Sequence, residues 1–363
     1  MAKKLATDRT LFVTTVALLS FGLAMLYSAS AVVAHEAHQS AHFFFVKQAI
    51  WAAVGLTAAA LLMRMDYRRL GRPAIVYGLL VLSVVLLIAV LFAPPFKNAH
   101  RWFRLGVISF QPSELAKLAL VLALAHQLTR RADRLEELVA GLAPSLLVTG
   151  FLAFLVLIEP DFGTAFCLAA VGASLLFVAG APLRYLVGLA AAAAPVVYLL
   201  IIRVDYRRDR LLAFLDPWED PLGKGFQAIQ SLIAVGTGGL AGLGFMQSRQ
   251  KLFYLPEPHT DFIFAVIGEE FGLLGALGLL VGFTVILWRG LVIARAAPDR
   301  FGALLAAGLT IMIFVQALIN ISVVLALLPT TGIPLPFISA GGTSLLFSLA
   351  AVGVLLAISQ HAR

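Results

Sequence analysis

Residues 143–181 read APSLLVTGFLAFLVLIEPDFGTAFCLAAVGASLLFVAGA. Two apolar runs, 143–158 and 163–181, flank the triplet Glu159-Pro160-Asp161. Each run approaches the ~20 apolar residues that a bilayer-spanning helix needs. The short polar triplet allows only a tight reversal, so the stretch reads as a helical hairpin in a membrane. Polarity does not alternate along either run, which excludes the strands of a membrane β-barrel. Working outward, runs of the same kind occupy 11–33, 42–63, 74–94, 112–128, 184–203, 261–287, 302–328 and 338–359. The expected fold class is an all-α polytopic membrane protein with about ten transmembrane helices.

Composition agrees. The 363 residues are 61% hydrophobic and 13% charged, with a mean hydropathy of +0.97. A soluble domain is ~45–50% apolar and ~25% charged. A water-soluble enzyme, a disordered tail and a coiled coil are excluded. The net charge of +8 reads as basic cytoplasmic loops rather than a nucleic-acid surface. Cys167 is the single cysteine, so no intrachain disulfide or cysteine metal site is available. Lys3 and Lys4 precede the first run, and Ala31-Val32-Val33-Ala34 resembles a weak cleavage site. The run exceeds the ~7–15 apolar residues of a signal peptide, so a retained anchor is expected.

Orientation follows from Lys and Arg. With the N-terminus inside, the inner loops hold fifteen of them and the short outer loops only Lys97, Arg101 and Arg104; the remaining outer segment, about 203–260, holds seven, but it is long and the rule is weaker there. This asymmetry puts both termini in the cytoplasm and implies an even number of spans. A long segment, 204–260, then lies outside between the seventh and eighth spans, and loops this long are usually functional. Within it, Tyr206–Leu215 reads as a short interfacial helix and 225–235 as a second. Gly236, Gly238, Gly239, Gly242 and Gly244 read as a flexible or tightly turning stretch.

Ionisable residues inside spans are functional candidates by default. Here they are Lys47, Glu114, Lys117, Glu269 and Glu270. Glu114 and Lys117 are three apart and share a helix face, as an internal ion pair or a cavity wall. Lys47 could instead snorkel to the outer interface. Three acids then face two bases, which leaves an acid without a cation. On an ideal helix Glu269 lies ~12 Å below Asp261 and turned ~80° from it. Near the outer ends of spans stand Arg101, Gln111, Glu159, Asp161, Glu257, His259 and Asp261. Thr260 or Asp261 could cap the eighth span. The company of Arg101, Arg210, Arg249 and Lys251 suggests a second role. Cations would hold a diphosphate while a carboxylate takes a proton from an attacking hydroxyl. His259 is another possible base.

Walker, dinucleotide-binding and HExxH motifs are missing. The paired interrupted helices of an inverted-repeat transporter are also missing. What is present is Tyr27-Ser28-Ala29-Ser30, Phe45-Val46-Lys47-Gln48, Asp66-Tyr67 and Arg101-Trp102. Gln111-Pro112-Ser113-Glu114-Leu115-Ala116-Lys117-Leu118 and Glu159-Pro160-Asp161-Phe162-Gly163-Thr164 follow. Later come Gln230-Ser231, Ser248-Arg249-Gln250-Lys251, and Leu255 through Glu270 with His259-Thr260-Asp261 inside it. The series closes with Asn320, Pro329-Thr330-Thr331-Gly332 and Pro334 through Gly342. Together these resemble the SEDS family (shape, elongation, division, sporulation) of peptidoglycan glycosyltransferases. The stretch from Ser248 to Glu270 and Asp216-Pro217-Trp218 are most similar to the FtsW, or division, branch, with the RodA elongation branch as the alternative. Met246 stands where a glycine is expected, and Ala340 where an aromatic is common.

The resemblance implies one membrane domain, 1–363, in the bacterial cytoplasmic (inner) membrane, with its active site facing outward. It implies that lipid II is polymerised onto an undecaprenyl-diphosphate-linked glycan, with inversion, into β-1,4 strands during septal cell-wall synthesis. By matching position Asp261 is the catalytic carboxylate. Arg101, Arg210, Ser248, Gln250, Lys251 and His259 are expected to bind substrate, and Glu114, Lys117, Lys47 and Glu269 to form an ion pair or cavity beneath. No cofactor is required, although a divalent cation could share the diphosphate. The implied partners are a class B penicillin-binding transpeptidase and other division proteins, not nucleic acid. A lipid II flippase and an inactive division scaffold are the rival classes. A flippase needs polar groups through the whole membrane depth, whereas the motif charges crowd the outer half. A scaffold has no need of Asp261 among cations.

Overall fold

The computed structural model describes residues 7–95, 99–106, 108–252 and 254–362. Lys3, Lys4, Lys97 and Arg363, used in the charge count, lie outside them. Ten long helices coincide with the ten apolar runs: α1 (Arg9–His38), α2 (Phe43–Arg64), α3 (Pro73–Val90), α4 (Pro112–Arg130), α5 (Ala143–Ile158), α6 (Phe162–Ala179), α7 (Leu183–Ile202), α10 (Ile263–Ala296), α11 (Arg300–Val324) and α12 (Gly342–Ser359). Two shorter ones, α8 (Asp205–Leu215) and α9 (Phe226–Gly238), match the two expected in the long segment. All of the ten except α4 are long and apolar enough to cross a membrane, α5 when counted with the helical turn before it as Leu138–Ile158. α4 carries Glu114, Lys117, His126 and Gln127, and protein rather than lipid surrounds it almost end to end.

Local chemistry starts and stops these helices. Asp8 accepts from Leu11 N at 2.9 Å, and Asp299 from Gly302 N at 2.8 Å, satisfying amides that a helix start leaves open. Pro73 and Pro112 occupy first-turn positions, where no amide hydrogen is needed. α6 stops at Gly180, whose φ of 98° is left-handed. α4, α6, α11 and α12 form the buried centre, with α2 against α12 and α10 against α11 and α1. α7 has no buried residue and stands at the periphery.

The segment before α1 meets the end of α12. Asp8 N donates to Ser359 Oγ at 3.2 Å, and the Asp8 carboxylate holds Arg289 at 2.6 Å. At the same end Tyr67 donates to Asp299, which Arg68 also contacts at 3.3 Å. Burial, then the hydrogen bond and charge of Asp299, push the Tyr67 phenol well above its ordinary range. Burial alone would raise Asp299, but hydrogen bonds from Tyr67, Gly302 N and Arg68 outweigh it and hold the carboxyl below its ordinary value.

The opposite end holds the irregular structure. A small antiparallel hairpin, β1 (Phe103–Leu105) with β2 (Ile108–Phe110), precedes α4; no alternation in the sequence announced it. The runs ending at 328 and starting at 338 overshoot, because α11 stops at Val324 and α12 starts at Gly342. Pro329, Pro334 and Pro336 prevent helix between them. This connector is nonetheless buried at Ile333, Leu335, Phe337 and Ile338. Three amide side chains satisfy its backbone. Gln48 donates to Ser339 O, Gln316 to Pro334 O and Asn320 to Ile333 O, at 2.9, 2.9 and 2.8 Å.

α10 is broken at Gly272 (φ 61°, ψ −156°). A break inside an apolar region strands backbone groups that must find partners in protein. Residues 239–244 supply them. Leu243 N and Gly244 N donate to Glu269 O and Glu270 O, both at 2.9 Å, while Leu273 N and Leu274 N donate to Gly239 O and Leu240 O at 2.9 and 3.2 Å. A Cβ on Gly272 would lie 2.5 Å from Gly242 N, and one on Gly242 would lie 2.2 Å from Glu270 O. The glycine-rich stretch is thus spliced into the broken helix. Met246 just beyond it has φ 65°, the left-handed backbone that a glycine would adopt freely.

Candidate functional site

Asp261 sits in the turn that enters α10, half-buried. The helix begins at Ile263 with Phe262 in the cap position, so neither Thr260 nor Asp261 occupies that position. The expected ~12 Å and ~80° relation to Glu269 therefore does not hold, because Asp261 is not on the helix. Three successive carbonyls pin the turn. His259 O accepts from Ala340 N at 2.9 Å, Thr260 O from Ser339 Oγ at 2.6 Å, and Asp261 O from Asn320 at 2.8 Å. The same Asn320 amide holds Ile333 O, so it ties this turn to the connector. The Asp261 carboxylate lies against Gly332: a Cβ there would be 3.4 Å from Oδ2. The His259 ring packs on Phe44, centroids 4.6 Å apart.

Other expected residues reach the same connector. Arg210 donates to Thr330 O at 2.7 Å, which brings α8 to it. Gly163, in the first turn of α6, packs on Thr331 and Ile333. Just before Gly163, Asp161 caps α6 by accepting from Thr164 N at 3.0 Å and Thr164 Oγ1 at 2.9 Å. Gln111 adds a donor at 3.3 Å, and the Arg101 guanidinium stands 3.8 Å away. Arg101 is 22% exposed, yet its Nε is buried without a hydrogen-bond partner. Glu159 is fully buried. Burial first, then the charge of Asp161, push its carboxyl up to about 9 against the opposing pull of Arg101.

Beneath lies a second cluster. Lys251 Nζ is 2.8 Å from Glu270 Oε1 and 3.0 Å from Ser28 Oγ, and Ser28 donates to the same carboxylate at 2.6 Å. Glu269 accepts from Ser248 Oγ, from Arg249 N at 3.0 Å and from Gln250 N at 3.3 Å. Met246 N donates to Glu270 Oε2 at 3.0 Å. The count of three acids against two bases thus needs correction. Lys251 is only 4% exposed and supplies a third base, because the loop before it folds back onto α10. Its charge is committed to Glu270 inside the protein. Ser248 and Gln250 likewise touch Glu269, and the Gln250 Oε1 atom is buried without a partner.

Glu114 and Lys117 form a buried pair at 2.8 Å. Lys117 also donates to Gln316, whose amide nitrogen reaches Ser344 Oγ at 3.2 Å and the connector at Pro334 O. Lys47, half-buried near the start of α2, lies within the field of Arg104. Sequence reasoning gave Ser28 and Gln48 no role beyond their motifs and missed Gln316. They are polar positions in apolar runs, and the rule that found the charges would have found them had it been extended to amides and hydroxyls. Among the described residues no group of three or more His, Cys, Asp or Glu comes together to hold a metal.

This arrangement has relatives. A family model described as FTSW_RODA_SPOVE, cell cycle protein, matches residues 9–363. A probable peptidoglycan glycosyltransferase FtsW of Geobacter metallireducens is 41% identical over 358 residues, covering 98% of this chain and 95% of the relative. Stage V sporulation protein E of Bacillus subtilis is 43% identical over 366 residues, covering 99% of each. A chain from the solved structure "Structural coordination of polymerization and crosslinking by a peptidoglycan synthase complex" superposes with a TM-score of 0.80 at 34% identity, covering 98% of each chain. Sequence and fold are similar along nearly the whole length: the chain is a multi-pass membrane protein and belongs to the FtsW/RodA/SpoVE family.

Proposed function

We propose that the protein is a membrane-embedded, inverting peptidoglycan glycosyltransferase that polymerises lipid II, and that Asp261 is its general base. One observation carries the reading. A half-buried carboxylate is held by its own pinned backbone against a connector that also receives Arg210 and the Arg101–Asp161 turn. The acceptor's 4-hydroxyl attacks the donor's anomeric carbon, Asp261 takes the hydroxyl proton, and the lipid diphosphate leaves toward the guanidinium groups. Arg101 and Arg210 are its first contacts, with Gln250 and His259 around the sugars; Ser248 joins them only by leaving Glu269. Lys251 meets the diphosphate only by leaving Glu270.

In this reading the whole chain is a single membrane domain of ten spans. Its termini are cytoplasmic, residues 204–260 are extracytoplasmic, and the site faces outward from the cytoplasmic membrane. The Lys and Arg asymmetry supports this. A septal role is favoured by the FtsW relative, and a transpeptidase partner by the synthase-complex match. The test is to reconstitute the purified protein with a class B transpeptidase and lipid II. Glycan strands are expected. Movement of lipid II between leaflets without strands would mark a flippase instead, and no reaction at all would leave a scaffold.

A further inference from the structure

Glu159 and Asp161 flank Pro160 at the outer hairpin, and they are treated very differently. Asp161 has three hydrogen-bond donors and the Arg101 guanidinium around its oxygens. Glu159 is 0% exposed, and neither of its carboxyl oxygens has a hydrogen-bond partner. A buried carboxylate without donors is far more costly than the neutral acid. The charged groups bearing on Glu159 are Asp161 on its own turn and Arg101 from the segment before β1. Ionised, it would place a second negative charge beside the single cation that Asp161 already uses. Neutral, it leaves one acid facing one guanidinium, whose buried Nε still has no acceptor. A buried donor of that kind needs an acceptor, and a diphosphate oxygen supplies one.

We propose that Glu159 is carried as a neutral acid and is a positioning residue, whose lack of charge keeps Arg101 available to the anionic part of the substrate. The proposal rests on the reading of Arg101 as a diphosphate contact. Raising the pH through about 9 ionises Glu159, draws Arg101 inward and weakens use of the lipid-diphosphate donor.

The test compares the full-length protein with Glu159→Gln, which matches the neutral acid in shape and charge. Two readouts are followed across pH. In polymerisation assays KM for lipid II is expected to rise above about pH 9 in the wild type, with a smaller change in kcat; in Glu159→Gln this alkaline rise is expected to be absent. In thermal unfolding, a carboxyl raised from 4.5 to about 9 binds more protons folded than unfolded. Wild-type stability therefore falls as pH rises through that window. The advantage of Glu159→Gln is expected to grow from about pH 4.5 and level off near 9. The unfolding readout needs no activity, so it stands even if the glycosyltransferase reading fails. An equal alkaline KM rise in both proteins, a pH-independent stability difference, or a Glu159→Gln protein that does not fold would each overturn the proposal. So would loss of Glu159→Gln activity at every pH with folding intact, because that would show a need for the carboxylate, as a cation ligand would have.

Discussion

Lys251 stands in the polar tetrad Ser248-Arg249-Gln250-Lys251, whose composition suggests a solvated loop. In the fold its ammonium lies inside the protein at 2.8 Å from Glu270. The difference has a physical cause. Hydropathy along the chain cannot see that Glu269 and Glu270 offer acceptors to the amides of 246–250, and that this draws the loop inward. Removing one member of a buried pair typically costs ~3–5 kcal/mol because the survivor is stranded. Lys251→Met and Glu270→Gln are each expected to lower the unfolding midpoint sharply, and the double variant to lose less than the sum. A denaturation cycle on the four proteins checks this, and strict additivity would count against the pair. The Glu114–Lys117 contact, by contrast, was legible because i, i+3 spacing on a helix forces proximity. What spacing could not show is Gln316, which reaches the pair from 199 residues away.

The ten long helices were legible at element scale, since apolar length alone specifies a span. The break in α10 was not. The apolar run 261–287 continues straight through Gly272, and Gly275, Gly278 and Gly282 in the same run stay helical. Only the facing Gly242 tells them apart, and that contact belongs to the tertiary fold. Alanine at Gly272 would meet both a left-handed backbone and an atom at 2.5 Å. Strained backbone alone costs ~1–3 kcal/mol. Gly272→Ala is therefore expected to reduce the yield of folded protein severely. Gly278→Ala, which would meet nothing within 4 Å, is expected to be neutral or to stabilise by ~0.5–1 kcal/mol. Size-exclusion and melting profiles of both variants decide it. The connector after α11 teaches the same lesson: its prolines announced an interruption, while its burial depends on Gln48 arriving from α2 and on Gln316 and Asn320 from α11.

Across the whole molecule the chain separates into two ends. One gathers Asp8, Ser359, Arg289 and the Tyr67–Asp299 contact; the other gathers the connector, Arg210, the Arg101–Asp161 turn and Asp261. With Cys167 buried as the single native thiol, introduced cysteines report sidedness directly. Leu222→Cys, at a position 88% exposed, is expected to react with an impermeant maleimide on intact cells. Asp133→Cys, also at an exposed position, is expected to react only after permeabilisation. The reverse pattern would place the proposed site in the cytoplasm.

The central claim is that the pinned Asp261 carboxylate performs the proton transfer of glycan polymerisation. Its most direct measurement is the lipid II polymerisation rate of purified Asp261→Asn beside wild type, with melting profiles taken on the same samples. A general base typically contributes ~10²–10⁴-fold. The account predicts a loss of at least that order with an unchanged melting profile; a folded Asp261→Asn protein that polymerises at the wild-type rate would contradict it.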